Sequence, residues 1–225
     1  MDKKNQITEG VIWKQLLIFF FPIMVGTLFQ QLYNTVDAII VGRFVGKQAL
    51  ASVGGSAAVL TNFVIGFFTG LSAGATVIIS QFYGAKNLKQ LSKGLHTAYA
   101  FSITVSILIS VIGWFSTPAL LHLLKTPADV IPDSILYLRI YFLGMIFTLT
   151  YNMGSSIMRA IGDSRRPLIY LVICCVINII LDILFVIVFH MGIAGAAIAT
   201  VISQGVSAIL VTRSLMKSYG ILKLE

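Results

Sequence analysis

Long apolar runs separated by short polar segments make up most of this 225-residue sequence. An α-helix that crosses the hydrocarbon core of a bilayer needs about 20 mostly apolar residues, because it rises about 1.5 Å per residue. The runs predict six such helices, at about residues 16–41, 50–81, 95–115, 135–158, 168–189 and 193–215. The expected fold class is therefore all-α and integral to the membrane, a bundle of six transmembrane helices forming a single domain over residues 1–225.

The composition supports this interpretation and excludes several classes of function. The chain is 57% hydrophobic and 11% charged, whereas about a quarter of the residues in soluble domains are charged. The net charge of +8 is spread along the connections, which indicates membrane topology rather than nucleic-acid binding. The sequence contains no HExxH or P-loop motif, so we expect no enzyme and no cofactor. The two adjacent cysteines, Cys174 and Cys175, cannot form a metal site alone.

The basic residues orient the predicted bundle. Six spans divide the sixteen Lys and Arg residues into twelve on the side of the termini and four on the other side, namely Arg43, Lys47, Lys125 and Arg139. Cytoplasmic connections of membrane proteins carry an excess of Lys and Arg. We therefore expect a multi-pass protein of the cell membrane with both termini in the cytoplasm, and we call that side inner and the opposite side outer.

Two aspartates, Asp37 and Asp182, lie inside predicted spans. A charged side chain at the bilayer centre costs about 3 kcal/mol on insertion scales, so such residues usually face a protein interior and serve a function. Both aspartates and Thr200 are expected ~10–12 Å from the outer ends of their spans. Tyr33 precedes Asp37 by four residues and Asn178 precedes Asp182 by four, so each pair shares a helix face.

These five residues (Tyr33, Asp37, Asn178, Asp182 and Thr200) are the predicted cation- or proton-coupling site. Two close carboxylates in a low dielectric should not both be comfortably ionised, which would suit a proton carrier. The same oxygens could hold a sodium ion at Asp37 and Asp182, since hard cations prefer oxygen ligands. The residues leave the choice between H⁺ and Na⁺ open.

Other polar residues within the spans are weaker candidates. Gln30, Gln31, Asn34, Asn152 and Gln204 are interpreted as lining of a polar cavity or as hydrogen-bonding contacts between helices, with Asn152 nearer the inner face.

Proline and glycine predict two features of the helices. Pro22, inside span one, is either a static kink or a hinge that responds to the state of Asp37. Gly66, Gly70 and Gly74 repeat every four residues in span two and predict a close-packing seam.

Four motifs carry a family resemblance. Residues 22–55 read PIMVGTLFQQLYNTVDAIIVGRFVGKQALASVGG, residues 81–87 read QFYGAKN, residues 159–167 read RAIGDSRRP and residues 191–204 read MGIAGAAIATVISQ. In this order they resemble the multidrug and toxic compound extrusion (MATE) transporters. The resemblance covers nearly the whole chain.

The resemblance implies a secondary antiporter that exports organic, often cationic and amphipathic, compounds in exchange for H⁺ or Na⁺. It implies that the acidic and polar residues which couple cation binding to transport in the family correspond to the five residues named above. It also places the family's bending proline at Pro22 and a span-four asparagine at Asn152. Family members have twelve spans in two lobes, so the chain resembles the N-terminal lobe. It would need the missing C-terminal lobe or a homodimer partner.

Two alternatives remain. One is a lipid-linked oligosaccharide flippase of the same superfamily, in which basic residues more often line the cavity; the absence of Lys or Arg deep in a predicted span favours the exporter. The other is a non-transporting membrane fragment or assembly subunit.

Overall fold

The computed structural model describes residues 12–218, and within that range the chain forms helices and no strand. The α-helices are α1 (Ile12–Ile40), α2 (Lys47–Gly54), α3 (Ser56–Gly84), α4 (Leu88–Leu123), α5 (Ile131–Leu143), α6 (Met145–Ala160), α7 (Arg165–Asp182) and α8 (Gly192–Ser218). Two π-helical segments occur in the described range, Val41–Val45 after α1 and Ile183–Val188 after α7.

The helices form up to six membrane spans. Five stretches are long and apolar enough to cross a bilayer: Trp13–Val45, Lys47–Gly84, Leu88–Leu123, Arg165–Val188 and Gly192–Lys217. The sixth is the pair α5 and α6, which passes the same test as one span bent by 49°. The predicted fold class, a six-helix membrane bundle, is confirmed.

The bend between α5 and α6 lies at Gly144, where α8 passes close by. A Cβ at Gly144 would lie 2.3 Å from Cγ2 of Val201 in α8, a distance that real side chains do not adopt. The sequence pattern predicts one continuous span here, at 135–158. The close approach at Gly144 involves a residue 57 positions further along the chain, which a local pattern does not reveal.

Helix α4 begins earlier than the apolar pattern predicts. The side chain of Asn87 accepts a hydrogen bond from the backbone N–H of Gln90 at 3.2 Å, which satisfies one of the unpaired amides of the first turn. The polar residues that follow Asn87 therefore belong to the helix rather than to a connection.

The buried centre of the bundle is α8, which packs against α5, α6 and α7. Small residues make this close approach feasible: Ala196, Ala197 and Ala199 are fully buried, as are Ser203 and Ser207. At the inner end, a Cβ at Gly154 of α6 would lie 2.1 Å from Cγ1 of Val211, so the two helices meet there without room for a side chain.

The predicted glycine seam of span two faces away from this centre. An added Cβ at Gly66, Gly70 or Gly74 would meet no described atom within 4 Å. Within the described part of the chain, the seam therefore packs against no other helix, and its role as a close-packing surface stays a prediction.

Candidate functional site

The two intramembrane aspartates lie together, because α1 packs against α7. Asp182 is fully buried and Asp37 is 9% exposed. Their carboxyl groups are close enough to interact electrostatically. Both carboxyl oxygens of Asp182 and Oδ1 of Asp37 are buried and receive no hydrogen bond from any described residue. We call this pair the acid pair.

The acid pair has clear chemical consequences. A buried carboxylate that accepts no hydrogen bond is costly, and two adjacent ones repel each other. A proton on one carboxyl would remove one charge and supply the missing hydrogen bond between the two. A cation held between the oxygens would achieve the same neutralisation. The geometry therefore fits either a proton or a hard cation such as Na⁺.

A hydrogen bond between Tyr33 and Thr200 joins α1 to α8 beside the acid pair. The hydroxyl of Tyr33 donates to Oγ1 of Thr200 at 3.3 Å, and Thr200 Oγ1 donates to the carbonyl of Ala196 at 3.0 Å. Tyr33 also lies close enough to Asp37 to interact electrostatically. The three helices α1, α7 and α8 therefore meet at this point.

Further unpaired polar atoms lie one helical turn inward from these residues. Asn178 is fully buried, and neither its Oδ1 nor its Nδ2 has a hydrogen-bond partner among the described residues. Gln204, one turn inward from Thr200, buries an unpaired Oε1 in the same way. Buried amide groups without partners are rare in folded proteins. Their oxygens add neutral ligands that a cation or a water molecule could use.

Both π-helical segments adjoin the acid pair. One begins four residues after Asp37 and the other begins directly after Asp182, and the two segments contact each other. Their wider turns are closed by hydrogen bonds to the fifth preceding residue: Gly46 N–H to Val41 at 3.1 Å and Phe189 N–H to Leu184 at 2.9 Å. Single π-helical turns often occur at functional sites.

A separate cavity of about 310 Å³ lies between the inner halves of α1, α6 and α7. Pro22, Gln30, Gln31 and Asn152 all line it. Nδ2 of Asn152 donates to the carbonyl of Thr148 at 2.9 Å. We call this space the inner cavity.

Asn34 does not line the inner cavity. It lies on the exposed side of α1, beside a shallow outer groove, where its Nδ2 donates to Oε1 of Gln31 at 3.5 Å.

The family model MatE matches residues 22–184 of the chain. This chain belongs to the MATE family. The probable multidrug resistance protein YpnP of Bacillus subtilis (strain 168) is 36% identical to this MATE chain over 205 residues, which are 91% of the chain and 46% of that protein.

Solved structures agree with this assignment. Crystal structures of a MATE in the bent and in the straight conformation match this chain with TM-scores of 0.89 and 0.88 at 25% and 26% identity. Each match covers 96% of this chain and 48% of the other. The chain thus spans about half the length of the relatives it matches.

The MATE chain contains one site residue that the sequence analysis missed. Tyr137 of α5 is 7% exposed, stacks on Tyr141 with ring centroids 5.9 Å apart, and interacts electrostatically with both members of the acid pair. It lies six residues after the start of α5, hence ~9 Å along the helix. The depth argument applied to the aspartates would have found it, had the start of α5 been placed at Ile131.

Two arginines of this MATE chain bear on the expectation that no Lys or Arg lies deep in a predicted span. Arg139 lies inside α5, with its guanidinium 5.3 Å from the ring of Trp114. Arg159, in the last turn of α6, lines the inner cavity. The sequence analysis favoured the exporter over a flippase because it found no basic residue suited to line the cavity. Arg159 weakens that argument.

Proposed function

We propose that this chain is one lobe of a cation-coupled antiporter that exports organic, cationic and amphipathic compounds across the cell membrane in exchange for H⁺ or Na⁺. The observation that carries the proposal is the acid pair: two carboxyl groups from different helices, buried beside each other, with three oxygens that no described group neutralises. A site of this kind gains stability from a proton or cation, and loses it when that ion leaves.

In this mechanism, the occupancy of the acid pair controls the position of α1. An ion at Asp37 and Asp182 holds α1 against α7, and the Tyr33–Thr200 hydrogen bond holds the same turn of α1 against α8. Departure of the ion leaves two carboxylates that repel each other across the α1–α7 contact. The repulsion displaces the outer half of α1, which is the half that carries Asp37.

Pro22 is the proposed hinge of this motion. It lies inside α1, fifteen residues before Asp37, and it lines the inner cavity. A proline interrupts the backbone hydrogen bonding of a helix, so bending there breaks fewer bonds than elsewhere. A related MATE has been crystallised in bent and straight conformations. Bending at Pro22 would change the shape of the inner cavity, which Gln30 and Asn152 also line.

The proposed orientation places both termini in the cytoplasm. Residues 1–11 and 219–225 lie outside the described residues, so the proposal rests on the connections. Lys86, Lys89 and Lys93 lie at the same side as Arg159 and Arg165, which agrees with the positive-inside rule. A protease-accessible tag inserted between α4 and α5, cleaved from outside intact cells, tests this orientation.

The partner in the proposed transporter is a second six-helix lobe. The chain spans about half the length of its relatives, and the seam of Gly66, Gly70 and Gly74 offers an unoccupied surface of small residues. Such surfaces are typical of close helix contacts in membranes. By contrast, α4 exposes large apolar side chains such as Ile112 and Phe115, which suit contact with lipid.

Cysteine crosslinking tests the partner surface. We expect Gly70→Cys to form crosslinks in membranes to the second lobe, or to a second copy of the chain if the transporter is a homodimer. Phe115→Cys is the matched control, since Phe115 is 76% exposed on α4, in the surface of large apolar side chains that suits contact with lipid. Equal crosslinking of both variants, or none of either, would contradict the proposed surface.

The central experiment measures efflux of a fluorescent organic cation from cells that express the chain together with the second lobe of a relative. We expect Asp37→Asn and Asp182→Asn each to reduce efflux more than tenfold, because each removes an ionisable member of the acid pair. Asp133→Asn, outside the site, should leave efflux unchanged. Efflux that survives both substitutions would refute the coupling role of the acid pair.

The coupling ion is identified in proteoliposomes of the same assembly. A pH gradient without Na⁺ should drive uptake of the cation if H⁺ is the coupling ion, and a Na⁺ gradient at equal pH should drive it if Na⁺ is. Uptake that responds to neither gradient would contradict cation coupling while leaving membership of the MATE family intact.

A further inference from the structure

The inner cavity carries an unusual charge for a site that would hold organic cations. Among the described residues that line it, Arg159 is the charged one, and no Asp or Glu is present. The remaining polar lining consists of amides and hydroxyls, including Thr27, Gln30, Asn152 and Ser164. A cavity of this composition attracts negative charge.

The guanidinium of Arg159 is only partly used. Within the described residues, its Nη2 donates a hydrogen bond to Oγ of Ser156 at 3.4 Å, and no carboxylate forms an ion pair with it at 4.0 Å or less. A guanidinium has five N–H donors and stays protonated in proteins. Most of its hydrogen-bonding capacity is therefore available to a ligand.

The nearest acidic residue along the chain is engaged elsewhere. Oδ1 of Asp163 accepts hydrogen bonds from the backbone N–H groups of Arg165 and Arg166 at 3.2 and 3.1 Å, and its Oδ2 pairs with Nε of Arg166 at 3.2 Å. Asp163 thus caps α7 and neutralises Arg166. The backbone carbonyls at the C-terminal end of α6 stabilise the positive charge of Arg159. They leave the cavity beside the guanidinium open to a ligand.

The neutral groups around Arg159 could complete an oxyanion site. The hydroxyl of Tyr151 donates to the carbonyl of Pro167 at 3.1 Å, which joins α6 to α7 across the cavity. The Asn152 amide and the Ser164 hydroxyl also line this cavity. A planar guanidinium in a cavity that amide and hydroxyl groups also line is a favourable arrangement for the oxygens of a carboxylate or phosphate.

The apolar surroundings indicate that the ligand is amphipathic. Ile23, Leu168 and Leu171 form the apolar part of the inner cavity. Pro22 also lines an adjoining groove of about 590 Å³, whose lining includes Leu17, Phe20, Phe21 and Met24. A ligand with its anionic group at Arg159 could therefore extend apolar atoms past Pro22.

We propose that the inner cavity is a binding site for the carboxylate or phosphate group of an amphipathic molecule, with Arg159 as the principal contact. Two sources share this chemistry: a soluble compound that carries the anionic group, and the headgroup of a lipid from the inner leaflet. The proposal goes beyond cation export and does not depend on it, because binding is measurable without transport.

The test uses the purified full chain in nanodiscs of neutral lipid. Phenyl phosphate and benzoate are the anionic probes, benzyltrimethylammonium is the cationic probe of similar size, and inorganic phosphate represents the free ion. Titration calorimetry should show tighter binding of the two anionic probes than of the cation. Arg159→Gln should weaken anion binding at least tenfold, and Arg159→Lys, which keeps the charge but loses the planar fork, should weaken it less.

Arg213→Gln is the matched control, because Arg213 is an exposed cation of α8 that does not line the cavity. It should leave the dissociation constants unchanged within twofold. If the Arg159 variants do not fold, as judged by their helical circular dichroism, the ranking of anionic over cationic probes on the unaltered chain still decides the question.

Native mass spectrometry distinguishes the two sources. Retention of phosphatidate over phosphatidylcholine by the unaltered chain, and loss of this preference in Arg159→Gln, identifies a lipid headgroup. Binding of the soluble probes without lipid selectivity identifies a soluble ligand. The proposal is overturned if no anionic probe binds, if benzyltrimethylammonium binds as tightly as benzoate, or if Arg159→Gln and Arg213→Gln have equal effects.

Discussion

Helices α1 and α8 both contribute to the candidate site, but they are held in the bundle very differently. In α8, buried residues occur on several sides of the helix, among them Ala196, Ala199, Ser203 and Val211. In α1, the buried residues form a single stripe: Pro22, Gly26, Tyr33, Asp37 and Ile40. Helix α8 is therefore a fixed centre, whereas α1 is a peripheral helix attached along one face.

The residues of α1 with a proposed role in bending or coupling all lie in this single buried stripe. Tyr33 and Asp37 contact α8 and α7, respectively, through polar groups, and Pro22 and Gly26 line the inner cavity. Binding or release of an ion can strengthen or weaken such an attachment, because one proton on Asp37 or Asp182 changes the interaction energy between α1 and α7. The close packing of α8 cannot be switched in this way, because the small apolar and hydroxyl-bearing side chains named above do not titrate.

The largest effect is expected from breaking the packing of α8. Gly154→Leu should destabilise the chain by about 1–3 kcal/mol or more, because inserting atoms into a tightly packed contact forces strain. Val211→Ala, which removes the methyl 2.1 Å from the new Cβ, should restore part of this loss. The melting temperature in detergent is the measurement. Equal melting of Gly154→Leu and the unaltered chain would refute the tight α6–α8 contact.

A smaller effect is expected at the polar attachment of α1. Tyr33→Phe removes the donor to Thr200 and should cost about 0.5–1.5 kcal/mol, and Thr200→Val should cost a similar amount. A double-mutant cycle should show that the two losses are not additive, since they remove the same bond. Thr35→Val is the control, because Thr35 bonds only to the Gln31 carbonyl of its own helix among described partners. Full additivity would show that the contact contributes nothing.

A change in flexibility rather than stability is expected from Pro22→Ala. Spin labels at Leu17→Cys and Ile39→Cys, both exposed on α1, report the bend by their separation. The alanine variant should narrow the distance distribution, because it restores the interrupted backbone hydrogen bond. Pro118→Ala in α4 should leave it unchanged. An unaltered distribution in Pro22→Ala would mean that the proline is a static feature.

The smallest effect is expected on the outward seam of α3. Gly70→Leu should change the stability of the isolated chain by no more than about 0.5 kcal/mol, as for exposed substitutions generally, because no described atom lies within 4 Å of the new side chain. The same variant should weaken association with the second lobe, measured by crosslinking. A melting temperature lowered as far as in Gly154→Leu would show that the seam packs within the chain.

Much of the architecture could be predicted from local sequence. The six spans follow from the length of each apolar run, because bilayer thickness requires a fixed number of helical residues. The common depth of Asp37, Asp182 and Thr200 follows from the constant helical rise. Their coupling role, and that of Tyr33 and Asn178, remains a prediction, although the structure places these residues around one point.

Other features depend on neighbours that are distant in sequence, and these were missed. Tyr137 belongs to the site because α5 passes the acid pair, and Arg159 lines a cavity because α1 and α7 enclose it with α6. A side chain would not fit at Gly144, where the span bends, because Val201 of α8 occupies the space. In each case the hydrophobic pattern of the helix itself does not specify which other helix packs beside the residue.

The sequence by itself determined which segments enter the membrane and how deep their polar groups lie, because burial in lipid and the helical rise act on each segment separately. Only the tertiary structure decided which glycines are packed, which arginine faces a cavity and which carboxyl groups meet. Those outcomes depend on the angle and order in which helices pack, and hydrophobicity along one helix carries no information about either.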